Sequence, residues 1–402
     1  MFEITGKYNT AVCYAEIADE TAVAQITRML NHAFTAGSRI RIMPDVHAGK
    51  GCTIGTTMTI TDKAVPNIVG VDIGCGMYTL SLGQGDIDLA AVDRAAHIIP
   101  SGRNVWNEEK EPFPLADLRC AGSLKELSWL RRSLGTLGGG NHFIEIDAAA
   151  DGTHYLVIHS GSRNLGKQVA EIYQQMAVDQ HRGRAEYLQQ QEEAIRTLKE
   201  TGNEKQIEKT LRQLDEAWRH KQADMPEDLC WLGGQVFEDY LHDIEICQAF
   251  ARRSREYMAE FIVRYCGLTA GEGFHTIHNY IDTQERVLRK GAISAHKGEK
   301  ILIPLNMRDG CILAIGKGNP EWNESAPHGA GRLMSRAEAR NTLDMHTYED
   351  AMTGIYTTSV NRATLDEAPM AYKPKEAIIR ALAETADIQE ILKPVYNFKA
   401  AE

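Results

Sequence analysis

The chain has 402 residues, 43% hydrophobic and 25% charged, a composition that belongs to a folded globular protein and excludes a disordered or collagen-like one. Its formal net charge of -11 argues against a protein that coats nucleic acid non-specifically, since neutralising phosphates takes clustered Lys and Arg, although a local basic groove is compatible with it. No run of residues approaches the roughly 18 uninterrupted apolar positions of a membrane span, and MFEITGKYNT lacks the basic-then-apolar pattern of a signal peptide.

In chain order, apolar periodicity predicts a helix over 22–34. Short alternating or apolar runs bounded by Gly-rich turns predict strands over 53–60 and 67–73, a helix over 124–133, and strands over 142–146 and 155–160. From 169 to 266 the pattern is helical, with a helix around 187–198, a break at Gly202 and Asn203, and a stripe of Ile207, Leu211, Leu214 and Trp218 on a charged helix. Strand signal returns at VLRKGAIS, ILIPL and CILAIG, and helices follow over 335–345 and 374–385. Because candidate site residues lie on both sides of the helical stretch, the expected organisation is one α+β domain over 1–402 with a helical hairpin inserted at about 178–222. That hairpin is expected to be a solvated pair packing on itself or its host, with a docking arm as the alternative.

Eight cysteines, at 13, 52, 75, 120, 230, 247, 266 and 311, include no CxxC pair, which argues against disulfide staples and a zinc ribbon and fits a reduced, cytosolic protein. Cys75 stands apart from the others. In VGVDIGCGM it follows Asp72 by three residues, and the glycines at 70, 74 and 76 let the backbone turn so that carboxylate and thiolate converge on one cation. Further Gly-rich stretches, GTLGGGNHF, HSGSRNLG and HGAGRLMSR, each carry a histidine. Asp72, Cys75, His142, His159 and His278 therefore form a candidate metal set. Its oxygen and nitrogen ligands suit manganese, while a thiolate more commonly attracts zinc or iron, so ligand type leaves the metal open. Any one of these histidines alone would more simply be a hydrogen-bonded structural residue.

No GxxxxGK[ST] occurs, and GTLGGG runs into a strand-like segment, so neither a P-loop nor a dinucleotide fingerprint is present. HGAGRLMSR offers another anion device: small residues after His328, amides at the start of a following helix, and Arg332 or Arg336 to neutralise charge. His328 is then a candidate nucleophile toward phosphorus, giving a phosphoramidate; the bland alternative is a capping turn with an incidental histidine. Asp45, His47, Lys50, Ser162 and Arg163 are further candidates for holding anions, although Lys50 and Arg163 taken singly read as surface charges.

From MPDVHAGKGCTIG through VGVDIGCGM, LGTLGGGNHFIE, HSGSRNLG, HNY and HGAGRLMSR to PMAYK, the chain resembles the RtcB-type RNA ligases over almost its whole length. The resemblance implies mixed β-sheets around a di-metal site. It implies GTP- and manganese-dependent joining of an RNA 3'-phosphate or 2',3'-cyclic phosphate to a 5'-hydroxyl, in tRNA splicing or RNA repair. Cys75 would be shared by two Mn2+ ions, with Asp72 and His142 on one and His159 and His278 on the other, and His328 would become guanylylated. Asn141 and Asn279 would contact phosphates, Gly329, Ala330, Gly331 and Arg332 would line the nucleotide, and Glu145, Tyr372 and Lys399 would hold or stack on guanine. An archease-like activating partner also belongs to the picture.

Three features depart from the family pattern. Leu305-Asn306-Met307-Arg308 stands where Gly-Ser-Met-Gly is expected, with Arg308 a candidate replacement for a backbone contact; the 77–135 segment is short, and the 178–222 stretch is long. A specialised paralogue acting on a particular broken RNA is one reading of these departures. From the residues alone, the rivals are a two-metal phosphoesterase without ligase activity and a non-catalytic sensor of RNA ends.

Overall fold

A computed structural model describes residues 1–16, 18–49 and 51–399. The fold is α+β. Among these residues a six-stranded sheet runs in the order Phe2–Thr5, Thr10–Cys13, Ile40–His47, Ile54–Thr59, Val287–Lys290 and Asn279–Asp282. A seven-stranded sheet runs in the order Gly273–Ile277, Gly76–Gln84, Thr153–Ser160, Phe143–Ala148, Ala386–Lys399, Gly310–Gly316 and Lys300–Asn306. Every neighbouring pair in the second sheet is antiparallel.

Alternation along the strands builds the second sheet's two faces. Ile144, Ile146, Leu156, Ile158, Tyr396 and Phe398 share one core cluster, into which the helices Leu89–Ile98 and Gln235–Cys266 also pack residues. Phe143, Glu145 and Asp147 point the other way, opposite His159, Val157 and Tyr155 in turn. The long helix Gln235–Cys266 stops at Gly267, whose left-handed φ of 65° lets the Leu268 amide donate back to the Val263 carbonyl at 2.9 Å.

Most expected elements form with shifted ends: Glu20–Leu30, Leu127–Arg132, Arg336–Thr342 and Lys375–Leu382 are helices, and the helical stretch resolves into Arg163–His181, Arg184–Glu200, Ile207–Arg219 and Gln235–Cys266. The strand expected over 67–73 does not form. Pro66 starts a short helix, Pro66–Val69, because its fixed φ suits the first helical turn, and Gly70 at φ 101° ends it. The hairpin expected at about 178–222 consists of Arg184–Glu200 and Ile207–Arg219; Val178 instead lies on the preceding helix and is buried in the main core. No residue of Ile207–Arg219 is buried, and Trp218 stacks on Tyr187 with ring centroids 4.9 Å apart, so the pair packs chiefly on itself.

Candidate metal centre and nucleotide cleft

Strand register gathers the candidate ligands at one end of the second sheet. Met77 and Phe143 both pair with His159, which sets Cys75 and His142, each just before a strand, beside it. Ile277 pairs with Gly76, which brings His278 to the same end. Buried Arg255, on the long helix, ties the segments together by donating from Nη1 to the carbonyls of Gly74 and Ser160, each at 2.7 Å; burial lowers its pKa to about 10.

Cys75, His142, His159 and His278 are all buried. His142 Nδ1 donates to the Leu137 carbonyl at 2.8 Å and His159 Nδ1 to the Asn141 carbonyl at 3.1 Å, which leaves both Nε2 atoms as lone-pair donors to a metal. Those Nε2 atoms lie 3.5 and 3.3 Å from Cys75 Sγ, and His142 Nε2 is 3.1 Å from Asp72 Oδ2. His278 adds a buried Nδ1 without a hydrogen-bond partner among the described residues, and its ring centroid is 5.1 Å from that of His159.

Four electron-pair donors facing one another at these distances need a positive charge between them. Burial pushes His159 well below the usual imidazole range, so it does not supply the charge as a proton. Burial and Asp72 raise the Cys75 thiol well above its usual range, so a thiolate here calls for a cation. The donor set thus fits a divalent metal.

Gly161 permits this crowding, since a Cβ there would fall 2.1 Å from Asp72 Oδ1. Ser162 donates its backbone amide to Asp72 Oδ1 at 3.1 Å and so orients that carboxylate. Arg163 is half-buried and tied into the fold: it donates from Nη2 to the Gly102 carbonyl at 2.6 Å and from Nε to Thr136 Oγ1 at 3.0 Å. Lys50 lies outside the described residues.

Two clefts flank the centre. One, of about 330 Å³, is lined by His159, His278 and His328 and by every expected nucleotide-contacting residue: Asn141, Glu145, Asn279, Gly329, Ala330, Gly331, Arg332, Tyr372 and Lys399. The other, of about 720 Å³, is lined by Asp72, His142 and Arg163 together with Arg103, Trp129 and Lys167.

His328 Nδ1 lies 2.7 Å from Oδ2 of fully buried Asp45, and its ring centroid is 5.1 Å from that of His278. His47 also lines the nucleotide-side cleft, with Nδ1 on the Asp45 carbonyl at 2.9 Å. The helix expected from 335 begins at Arg336, and its Ser335 cap accepts from the Glu338 amide. Arg332 and Arg336 do line the cleft, but each pairs with Glu367, at 3.3 and 2.8 Å.

Glu367, absent from the sequence reading, also accepts from Tyr372 Oη at 2.7 Å and from Lys399 Nζ. Burial opposes its ionisation, yet Lys399 and Arg336 outweigh that and hold it at about 2. Only a polar residue inside a TLDE run marked it in the sequence. Leu305, Asn306 and Met307 line the cleft, whereas Arg308 pairs with its neighbour Asp309 at 3.0 Å and does not replace a backbone contact there.

The chain matches the family described as tRNA-splicing ligase RtcB over residues 25–111 and 107–400, and it belongs to that family. It is 29% identical to the RNA-splicing ligase RtcB of Escherichia coli strain K12, covering 90% of each chain. It is 26% identical to the tRNA-splicing ligase RtcB of Aeropyrum pernix, covering 84% of this chain and 82% of that one.

Proposed function

We propose that this protein is a GTP- and Mn2+-dependent 3'-5' RNA ligase that joins an RNA 3'-phosphate, or a 2',3'-cyclic phosphate after hydrolytic opening, to a 5'-hydroxyl. One observation carries the reading: a single cleft is lined by His328, which Asp45 holds from behind, by two of the candidate metal-ligand histidines, and by Glu145. A phosphoesterase that opens a cyclic phosphate needs no GTP, and a sensor needs no nucleophile, so GTP dependence separates the three.

Asp45 keeps the His328 proton on Nδ1, so Nε2 presents its lone pair. Nε2 forms a bond to the α-phosphorus of GTP, the bond to the β-phosphate oxygen breaks, and pyrophosphate leaves. An oxygen of the RNA 3'-phosphate then attacks that phosphorus, the P–N bond breaks, and an RNA-3'-ppG end forms. The 5'-hydroxyl loses its proton and attacks the RNA 3'-phosphorus, and GMP departs.

Asp72, Cys75, His142, His159 and His278 would hold two Mn2+ ions, with Cys75 shared; bound there, they would supply charge neutralisation for triphosphate and RNA end. Asn141 and Asn279 would bind phosphates, Gly329, Ala330, Gly331 and Arg332 would line the nucleotide, and Glu145, Tyr372 and Lys399 would hold guanine. We place the RNA in the second cleft, against Arg103, Lys167 and Trp129. The site elements span 45 to 399, in keeping with one catalytic domain. Free, mostly buried thiols agree with a cytoplasmic setting, tRNA splicing or RNA repair are the roles the reading implies, and an archease-like activator would act on turnover.

The test is joining of a 3'-phosphate RNA to a 5'-hydroxyl RNA with and without GTP and Mn2+. Joining that needs both supports the reading, and phosphate release without GTP contradicts it.

A further inference from the structure

Behind the nucleotide-side cleft lies a buried group the proposed reaction leaves unused. Glu145 and Asp147 sit two apart on the strand Phe143–Ala148 and so share a face; a carboxylate oxygen from each and Cys311 Sγ all lie within 4.8 Å of one another. Asp147 is fully buried, and neither of its oxygens meets a hydrogen-bond donor among the described residues. Glu145, in contrast, accepts from Cys311 Sγ at 3.6 Å and from Asn397 Nδ2, and it faces the cleft.

Two carboxylates this close and this buried cannot both ionise, because their repulsion goes unscreened. Among the described residues Lys399, itself paired with Glu367, is the cation that acts on Glu145, and the Cys311 thiol faces both carboxyls; Tyr155 pairs with Asp147 from the neighbouring strand and carries no charge. Asn397 and Lys399 act on Glu145 alone and favour charge there, while Asp147 has only the Cys311 thiol, which it shares with Glu145. Burial raises both groups above the usual carboxylate range, as a pair holding one proton requires.

We infer that Asp147 is a positioning and specificity-determining residue, which keeps the shared proton and donates it in a hydrogen bond to Glu145, so that Glu145 presents an anionic carboxylate to the base. A carboxylate accepts from two adjacent N–H groups, as on the Watson–Crick edge of guanine; a protonated carboxyl would match the donor-acceptor edge of adenine. The inference rests on the proposed nucleotide reading of this cleft.

The experiment measures GMP and AMP binding by equilibrium dialysis on the full chain, for wild type, Asp147→Leu and Asp147→Asn, with circular dichroism confirming folding. Wild type that does not prefer GMP overturns the nucleotide reading and this inference with it. Given that preference, Asp147→Leu is expected to weaken GMP binding by about tenfold, the worth of one hydrogen bond to a charged group, and Asp147→Asn, whose amide donates as the protonated acid does, to restore it. Between about pH 6 and 9, wild-type affinity is expected to fall relative to Asp147→Asn as the shared proton is lost, a ratio that cancels guanine's own ionisation. Equal losses in both variants, or a ratio that stays flat or rises with pH, overturn the assignment of the proton to Asp147.

Discussion

His328 Nδ1 lies 2.7 Å from Asp45 Oδ2, a contact between residues 283 apart in the chain. Asp45 is fully buried, and its other oxygen has no hydrogen-bond partner among the described residues, which leaves the carboxylate to orient the imidazole. Asp45→Asn keeps the shape but can present an amide N–H to Nδ1, which favours the wrong tautomer. Guanylylation is expected to slow by about a hundredfold or more, by the logic of aspartate-held histidines, with Mn2+ binding unchanged. The rate of GMP transfer to the protein is the check.

Glu367 gathers Lys399, Tyr372, Arg332 and Arg336 at the cleft wall. Its carboxyl sits at about 2, below the unfolded value near 4.3, so it stabilises the fold above the unfolded value and the contribution is lost as pH falls toward about 2. Glu367→Gln is expected to lower the melting temperature at pH 7, by an effect on the order of 3 kcal/mol. The gap from wild type should close on acidification, which calorimetry across pH will show.

Reversing charge in the second cleft separates RNA from nucleotide. Arg103→Glu with Lys167→Glu is expected to raise the KM for RNA and to flatten the dependence of RNA binding on salt, while GTP labelling of the protein stays at the wild-type level. Filter binding and labelling, measured side by side, decide this.

The helical hairpin is dispensable to the site as described. Gly183 and Lys221 approach closely enough for a short linker to replace 184–219, since a Cβ on Gly183 would lie 2.5 Å from Lys221 Nζ. Such a deletion is expected to leave melting and GTP labelling unchanged. A change in which RNA is joined would give the hairpin a docking role instead.

Much of the site was legible because the glycines around Cys75, His142, His159 and His328 leave room for close approach, and register then assembles those segments. The partners were not legible. Asp45 and Glu367 acquire their roles through contacts across the fold, and Arg163 reads as a surface charge until Thr136 and Gly102 enclose it. The strand Ala386–Lys399 escaped because it is charged and contains Pro394, which the sheet accommodates at a register shift between Pro394 and Tyr396. The run at 67–73 looked like a strand through its branched residues, but Pro66 and Gly70 decided its local conformation.

The most direct measurement is covalent labelling with Mn2+ and GTP carrying label at the α-phosphate, on wild type and His328→Ala. Acid-labile label on wild type alone, with both proteins folded and binding Mn2+ equally, is the predicted result. Label retained by His328→Ala would place the nucleophile elsewhere, and no label on either would contradict guanylyl transfer by this chain.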